Sequence, residues 1–362
     1  ILPGSFSRDW IERFRQVKEF SKINPPVLEK MIHALALLEM LKLTGMDFIF
    51  KGGSSLILLL EKTRRFSVDI DIITTHSRNE LRQIFDRVVE NSHFEKYRLD
   101  EDRSYKEGVP KAHYEFSYQS EYNLSANYIL LDILFEQTTY PKVIDVPIEA
   151  QWLKTGKGSA FVKVPSIESI TGDKLTAFAP NTTGILYNKG KSLEIIKQLF
   201  DLGELFNAIK HFETVSTSFS ILAKKEIEYR NLKISREAIL DDIIETGFLL
   251  AQREKNQTET GKLRFKELQD GISQFKNFLA SGFFRIDEAI EAAAKAAYIA
   301  AKIKTGNNEA PEHYDRSKNI NDYLIENRDY NHLNKLKKLP NGALFYWYHA
   351  VNLIQDGNLG KS

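Results

Sequence analysis

The run Phe48–Thr74, FIFKGGSSLILLLEKTRRFSVDIDIIT, admits few folds. It reads as a strand, a tight Gly52-Gly53 turn, an apolar helix and a second strand carrying Asp69 and Asp71. Two strands joined through a helix imply an α+β unit whose sheet and helix share one core. Side chains alternate along a strand, so Asp69 and Asp71 leave one face about 6.5–7 Å apart along the chain. Val68, Ile70, Ile72 and Ile73 surround them, which argues against an acidic turn.

Two carboxylates on one face suit a divalent cation. Mg²⁺ takes oxygen ligands, commonly only one or two of them protein carboxylates, and leaves the other positions to water and phosphate. The glycine turn supplies a complementary half. Glycine lets the backbone approach a ligand closely, and the unpaired N–H groups at the helix start, with Ser54 and Ser55 beside them, favour an anion. One element for metal and one for phosphate, a helix apart, is the arrangement a nucleoside triphosphate requires. Either alone is weak evidence, since Asp-x-Asp also occurs in calcium loops and Gly-Gly in plain turns.

The order GGSSL then RRFSVDIDI resembles the AbiEii/AbiGii toxin family of nucleotidyltransferases, a branch of the polymerase β-like superfamily. Lys51, Gly52, Gly53 and Ser54 match the family's first motif, and Arg65, Ser67, Asp69 and Asp71 match its Arg-x-Ser-x-Asp-x-Asp motif. The resemblance covers roughly residues 48–206 and makes these eight positions the expected nucleotide and metal site. It implies Mg²⁺ or Mn²⁺ as cofactor and a nucleoside triphosphate as donor. It also implies a toxin with a cognate antitoxin as partner and tRNA as acceptor.

Three further residues follow from the resemblance. A third acidic residue is expected on a later strand, and NYILLDILFE offers Asp132, as metal ligand or general base. Leu130, Asp132 and Leu134 share one face of that run and Ile129, Leu131, Ile133 and Phe135 the other, so the carboxylate is expected to be substantially buried and to need a cation. A lysine or arginine would serve as well as a metal. In SIESITGDKLTAF, Lys174 corresponds to the lysine that meets the triphosphate, and in KQLFDLGELF, Asp201 corresponds to the last aspartate of the family pattern. Lys197 and Gln198 stand where Arg and Asp are common, which leaves the polar network of that helix open. Read without the resemblance, Lys174 is a solvated helix lysine.

Organisation and composition fit an enzyme of this kind. With 362 residues, 42% hydrophobic and 27% charged, the chain reads as a globular protein of about two domains. Helices are expected over 8–22, 26–44 and 78–91, and further strands at AHYEFSYQS, around Asp132 and at VIDVP, in a mixed or antiparallel sheet. Near residue 205 the character becomes helical, which predicts a nucleotidyltransferase domain over 1–204 and a helical domain over 205–362. Lys335, Lys337 and Lys338 before Phe345, Tyr346, Trp347 and Tyr348 read as a solvated helix end followed by core aromatics.

The chain lacks cysteine, which excludes disulfides and thiolate metal sites and is compatible with a reducing, cytoplasmic location. A net charge of +1 draws no nucleic acid by itself, so any RNA contact must be local. No apolar run is long enough to span a bilayer. The start lacks a signal pattern, and without an initial Met the true N-terminus is expected upstream. Histidine spacing disfavours a zinc enzyme, and neither a P-loop nor a nucleophile elbow is present. A small-molecule nucleotidyltransferase would share every motif and differ in its acceptor. A metal-dependent glycosyltransferase would share Asp-x-Asp but not need the glycine turn, and a binding module without turnover would not need the three aspartates.

Overall fold

The computed structural model describes residues 1–104, 110–123, 125–255 and 258–359. Its contacts divide the chain into two compact units. The first comprises Ile1–Ser166 with Asn277–Phe283, the second Ile167–Lys276 with Phe284–Ser362.

The first unit is built on a seven-stranded mixed sheet. Its helices α1 (Arg8–Arg15) and α2 (Pro25–Leu43) precede β1 (Ile49–Lys51), α3 (Gly52–Leu59), β2 (Ile70–Thr74) and α4 (Arg78–Glu90). Then follow β3 (Lys96–Leu99), α5 (Glu101–Ser104), β4 (Lys111–Gln119), β5 (Ala126–Phe135), β6 (Val143–Pro147) and β7 (Phe161–Pro165). Strand order is β3-β4-β5-β2-β1-β7-β6, with β2–β5 and β1–β7 parallel and the remaining pairs antiparallel.

Local chemistry sets the helix starts. Pro25 and Pro26 open α2, where a missing N–H is no loss. Ser77 and Glu80 form a reciprocal capping box on α4. The expected helix 8–22 is shorter, because α1 ends at Arg15 and a separate 3₁₀ turn covers Lys18–Phe20. One face of the sheet contributes Phe50, Ile70, Ile72, Phe116, Leu131 and Ile133 to a core shared with Leu35, Leu38 and Phe85. Each such side chain stabilises the fold by about 1.5–3 kcal/mol.

Residues 277–283 join this unit from far along the chain. Arg65 and Leu279 form an antiparallel bridge, the Phe66 N–H donates to the Phe278 carbonyl at 2.8 Å, and the Ala280 N–H donates to the Arg64 carbonyl at 2.8 Å. Ala280 is buried in the same core as the sheet. The stretch leading to Asp69 is therefore held by backbone pairing on one side.

The second unit is helical, with α6 (Ile167–Ala177), α7 (Ser192–Phe206), α8 (Phe212–Tyr229), α9 (Arg236–Gln252), α10 (Glu259–Phe275), α11 (Ile286–Thr305) and α12 (Ala343–Leu359). The alanines of α11 are buried. A Cβ on Gly203 of α7 would lie 2.9 Å from Ala292, and one on Gly247 of α9 would lie 3.0 Å from the Ala293 carbonyl. Small residues thus let three helices close tightly. Phe345, Tyr346 and Trp347 are core side chains, as expected. The division at Ser166 differs from the boundary expected near residue 204. The cause is packing: α6 lies against α8, and α7 against α10 and α11, so the pair of helices carrying Lys174 and Asp201 belongs to the helical unit. Among the described residues, no helix is long and apolar enough to cross a membrane.

A buried histidine makes the first unit acid-sensitive. His33 on α2 is 2% exposed, stacks on Tyr118 with ring centroids 3.8 Å apart, and meets His93 at 2.7 Å through Nδ1. Burial first, and then the neighbouring His93 ring, lower its pKa from the ordinary 6.5 to about 2. The folded state therefore refuses a proton that the unfolded chain accepts. Stability is complete above pH 6.5 and falls as pH drops below it, by about 1.4 kcal/mol per pH unit from this group alone. Melting curves between pH 7.5 and 4.5 should show this slope, and His33→Phe should reduce it, leaving the share of His93, whose pKa burial lowers to about 4. An unchanged slope in His33→Phe would assign the acid sensitivity to other groups.

Candidate active site

The Gly52-Gly53 turn and the two aspartates meet as a packed unit. Gly52 has φ +77, a conformation that side-chain-bearing residues rarely adopt, and a Cβ there would lie 2.2 Å from Asp71 Oδ2. Backbone and carboxylate are thus in direct contact. A Cβ on Gly53 would lie 2.4 Å from Arg65 Nη2 and 3.2 Å from Ser67 Oγ. Both glycines are needed for approach, and the residues they approach belong to the Arg65–Asp71 run.

The hydroxyls have a different task from the one expected. Ser54 donates to the Asp69 carbonyl and Ser55 donates to the Gly52 carbonyl at 2.8 Å, and both side chains are buried. They tie the turn to the aspartate strand rather than face a ligand as donors. Arg65 is 6% exposed and donates to the Phe66 carbonyl at 3.1 Å.

Strand register places the carboxylates. Asp71 lies within β2, opposite Lys51 of β1 and beside Asp132 of β5, while Asp69 stands immediately before β2. Asp69 and Asp71 are half-buried. Asp132 departs from expectation. Its side chain is 23% exposed, and His113 of β4 lies beside it, with Nδ1 2.5 Å from Oδ1. The face of β5 that carries it is only partly covered, whereas Ile129, Leu131 and Ile133 fill the core on the other face.

Two residues at this face were not anticipated. His113 is the cross-strand neighbour of Asp132. Lys30 of α2 lies over the Tyr128 ring at 4.9 Å, and burial lowers its pKa against the opposing charges of Asp69 and Glu115. The alternation of AHYEFSYQS puts His113 and Glu115 on one face, but only the β4–β5 register joins them to Asp132. For Lys30 no local sequence signal exists.

Among the described residues, no group of three or more His, Asp or Glu side chains is arranged as a metal cage. Mg²⁺ does not require one, since two carboxylates with water and substrate phosphate complete its shell. The donor set of Asp69 and Asp71 fits that requirement.

In the helical unit, Lys174 and Asp201 form a buried pair. Lys174 Nζ lies 2.8 Å from Asp201 Oδ2 and donates to Gln198 Oε1 at 2.9 Å, and the two side chains are 6% and 1% exposed. Lys174 is not a solvated lysine. Gln198, a departure from the family pattern, takes part in the pair's hydrogen bonding.

A family model described as nucleotidyl transferase AbiEii toxin, type IV toxin–antitoxin system, matches residues 36–296. The chain belongs to this family. The AbiEii match spans β1 to β7 and every candidate residue from Lys51 to Asp201, and it identifies the protein as a nucleotidyltransferase. No curated protein matches the chain. Among solved structures, JHP933 from Helicobacter pylori is 13% identical with a TM-score of 0.40, covering 77% of this chain and 94% of that one. An H. pylori protein provisionally described as a nucleotidyltransferase is 18% identical with a TM-score of 0.39, covering 79% of this chain and 97% of that one.

For this AbiEii family member the glycine turn offers a direct test. Gly52→Ala should lose about 1–3 kcal/mol from backbone strain and displacement of Asp71, with transfer activity falling further than the melting temperature alone explains. Gly45, also at positive φ but with nothing within 4 Å of a Cβ, is the control. Equal activity in Gly45→Ala and Gly52→Ala would show that contact with Asp71 is dispensable.

Proposed function

We propose that this chain transfers a nucleoside monophosphate from a triphosphate to an acceptor hydroxyl on RNA, with tRNA as the favoured class, and releases pyrophosphate. The observation that carries this reading is the contact between the Gly52 backbone and the Asp71 carboxylate. A phosphate held at that turn lies against an anion, and like charges at such distance repel strongly unless a cation stands between them. Asp69 and Asp71 are the residues that would hold a divalent cation there. When bound, such an ion stabilises charge on the attacking and leaving oxygens of an in-line displacement.

The other residues have tasks that their surroundings support. Lys51, Gly53, Arg65 and Ser67 line the turn and orient the triphosphate. Asp132 stands beside Asp71 in register and would complete the carboxylate set or accept the acceptor's proton. Lys174, fixed by Asp201 and Gln198, offsets phosphate charge. The mixed sheet with its glycine turn between β1 and α3 supports a polymerase β-like domain. The family's type IV toxin–antitoxin description supports an antitoxin as regulatory partner.

The test is incubation with Mg²⁺, each α-labelled nucleoside triphosphate in turn, and total bacterial RNA. Label in a tRNA-sized band, absent with chelator, is the expected result. Label confined to a small molecule or to protein would replace the RNA acceptor. No label from any donor, with Mg-nucleotide still bound, would reduce the chain to a binding module.

A further inference from the structure

We infer that His113 is a positioning residue that fixes the Asp132 carboxylate beside Asp71. This inference rests on the nucleotidyl-transfer reading. Three adjacent strands set out the row: His113 of β4 pairs with Asp132 of β5, and Asp132 pairs with Asp71 of β2. His113 Nδ1 lies 2.5 Å from Asp132 Oδ1, and the histidine is 8% exposed.

His113 Nε2 is buried and has no hydrogen-bond partner among the described residues, so the polar contact of the ring there is Nδ1 with Asp132 Oδ1. The backbone of His113 is held as firmly. Its N–H donates to Ser104 Oγ at 2.9 Å, and its carbonyl accepts from the Asp100 N–H at 2.8 Å.

A hydrogen-bonded partner behind a carboxylate fixes its orientation, and such partners behind metal ligands raise affinity. Among common residues, asparagine can place an amide N–H near the position of Nδ1, and glutamine places it nearer to Nε2.

The test compares His113→Asn, His113→Gln and His113→Leu in the full chain. Readouts are kcat and KM for the triphosphate, Mn²⁺ affinity by calorimetry without nucleotide, and melting temperature. His113→Leu and His113→Gln should lower kcat and Mn²⁺ affinity by about 10–100-fold, the usual effect of losing such a partner, with KM for the triphosphate little changed. His113→Asn should stay within about threefold of the unmutated protein, well inside that loss. Asparagine and glutamine variants that behave alike would overturn the inference, as would unchanged kcat and Mn²⁺ affinity in either folded variant lacking the Nδ1 donor. If the unmutated protein transfers no nucleotide from any donor, the nucleotidyl-transfer reading fails on its own, and Mn²⁺ affinity across the same variants still decides the role of His113.

Discussion

Asp69→Asn and Asp71→Asn will each fold normally and each lose nucleotidyl transfer by about 10³-fold or more, the scale on which removal of a preorganised electrostatic group acts. Such a loss corresponds to about 4 kcal/mol of transition-state stabilisation. Asparagine keeps the shape of aspartate, so the close contact of position 71 with Gly52 survives, while the charge that would hold a cation does not. Both side chains are half-buried at the edge of the core rather than within it. Labelled-nucleotide transfer and thermal melting, measured on the same preparations, check the two halves. Full activity in either variant removes that aspartate from the chemistry.

Lys174→Met has the largest expected effect on folding. It removes the lysine that lies 2.8 Å from Asp201, whose side chain is 1% exposed. Breaking such a pair from one side typically costs about 3–5 kcal/mol, a fall in melting temperature of about 4–7 °C for a chain of this size. Lys174→Met with Asp201→Leu removes both charges and should recover most of the stability, since apolar replacement of a buried ion pair is often neutral. Transfer should remain lost in the double variant if Lys174 acts on phosphate. Recovered stability together with recovered transfer would make the pair purely structural, and unchanged melting in the single variant would show that the pair contributes nothing to the fold.

Local signals made part of this architecture legible. The glycine turn, the apolar helix and the Asp-x-Asp strand all lie within Phe48–Thr74, and each is written in adjacent residues. The limits appear where a property depends on distant chain. Alternation around Asp132 shows which side chains share its face, but apolar neighbours at Leu130 and Leu134 suggest burial on a face that is in fact partly open. His113 becomes its partner only through strand register. Lys30 reaches Tyr128 from a helix whose apolar residues run around nearly its whole circumference, so nothing marks its face in advance. The strands Lys96–Leu99 and Phe161–Pro165 are too short for their period to stand out. Strands cease to recur well before residue 204, which points to a boundary there, whereas packing assigns α6 and α7 to the helices that follow.

The return of Asn277–Phe283 to the first unit also orders events during synthesis. Ser166 closes the first stretch of that unit, and the 110 residues from Ile167 to Lys276 are made before the missing piece is translated. At bacterial-type elongation rates of about 5–20 residues per second, that interval lasts about 5–20 s. Through it the backbone of Arg64–Phe66, which later pairs with Phe278–Ala280, has no such neighbour on the nascent chain. A chain in which the stretch leading to the aspartate strand gains this pairing only after residue 283 has emerged completes its first unit late in translation, with an interval in which a co-translated partner can meet it first.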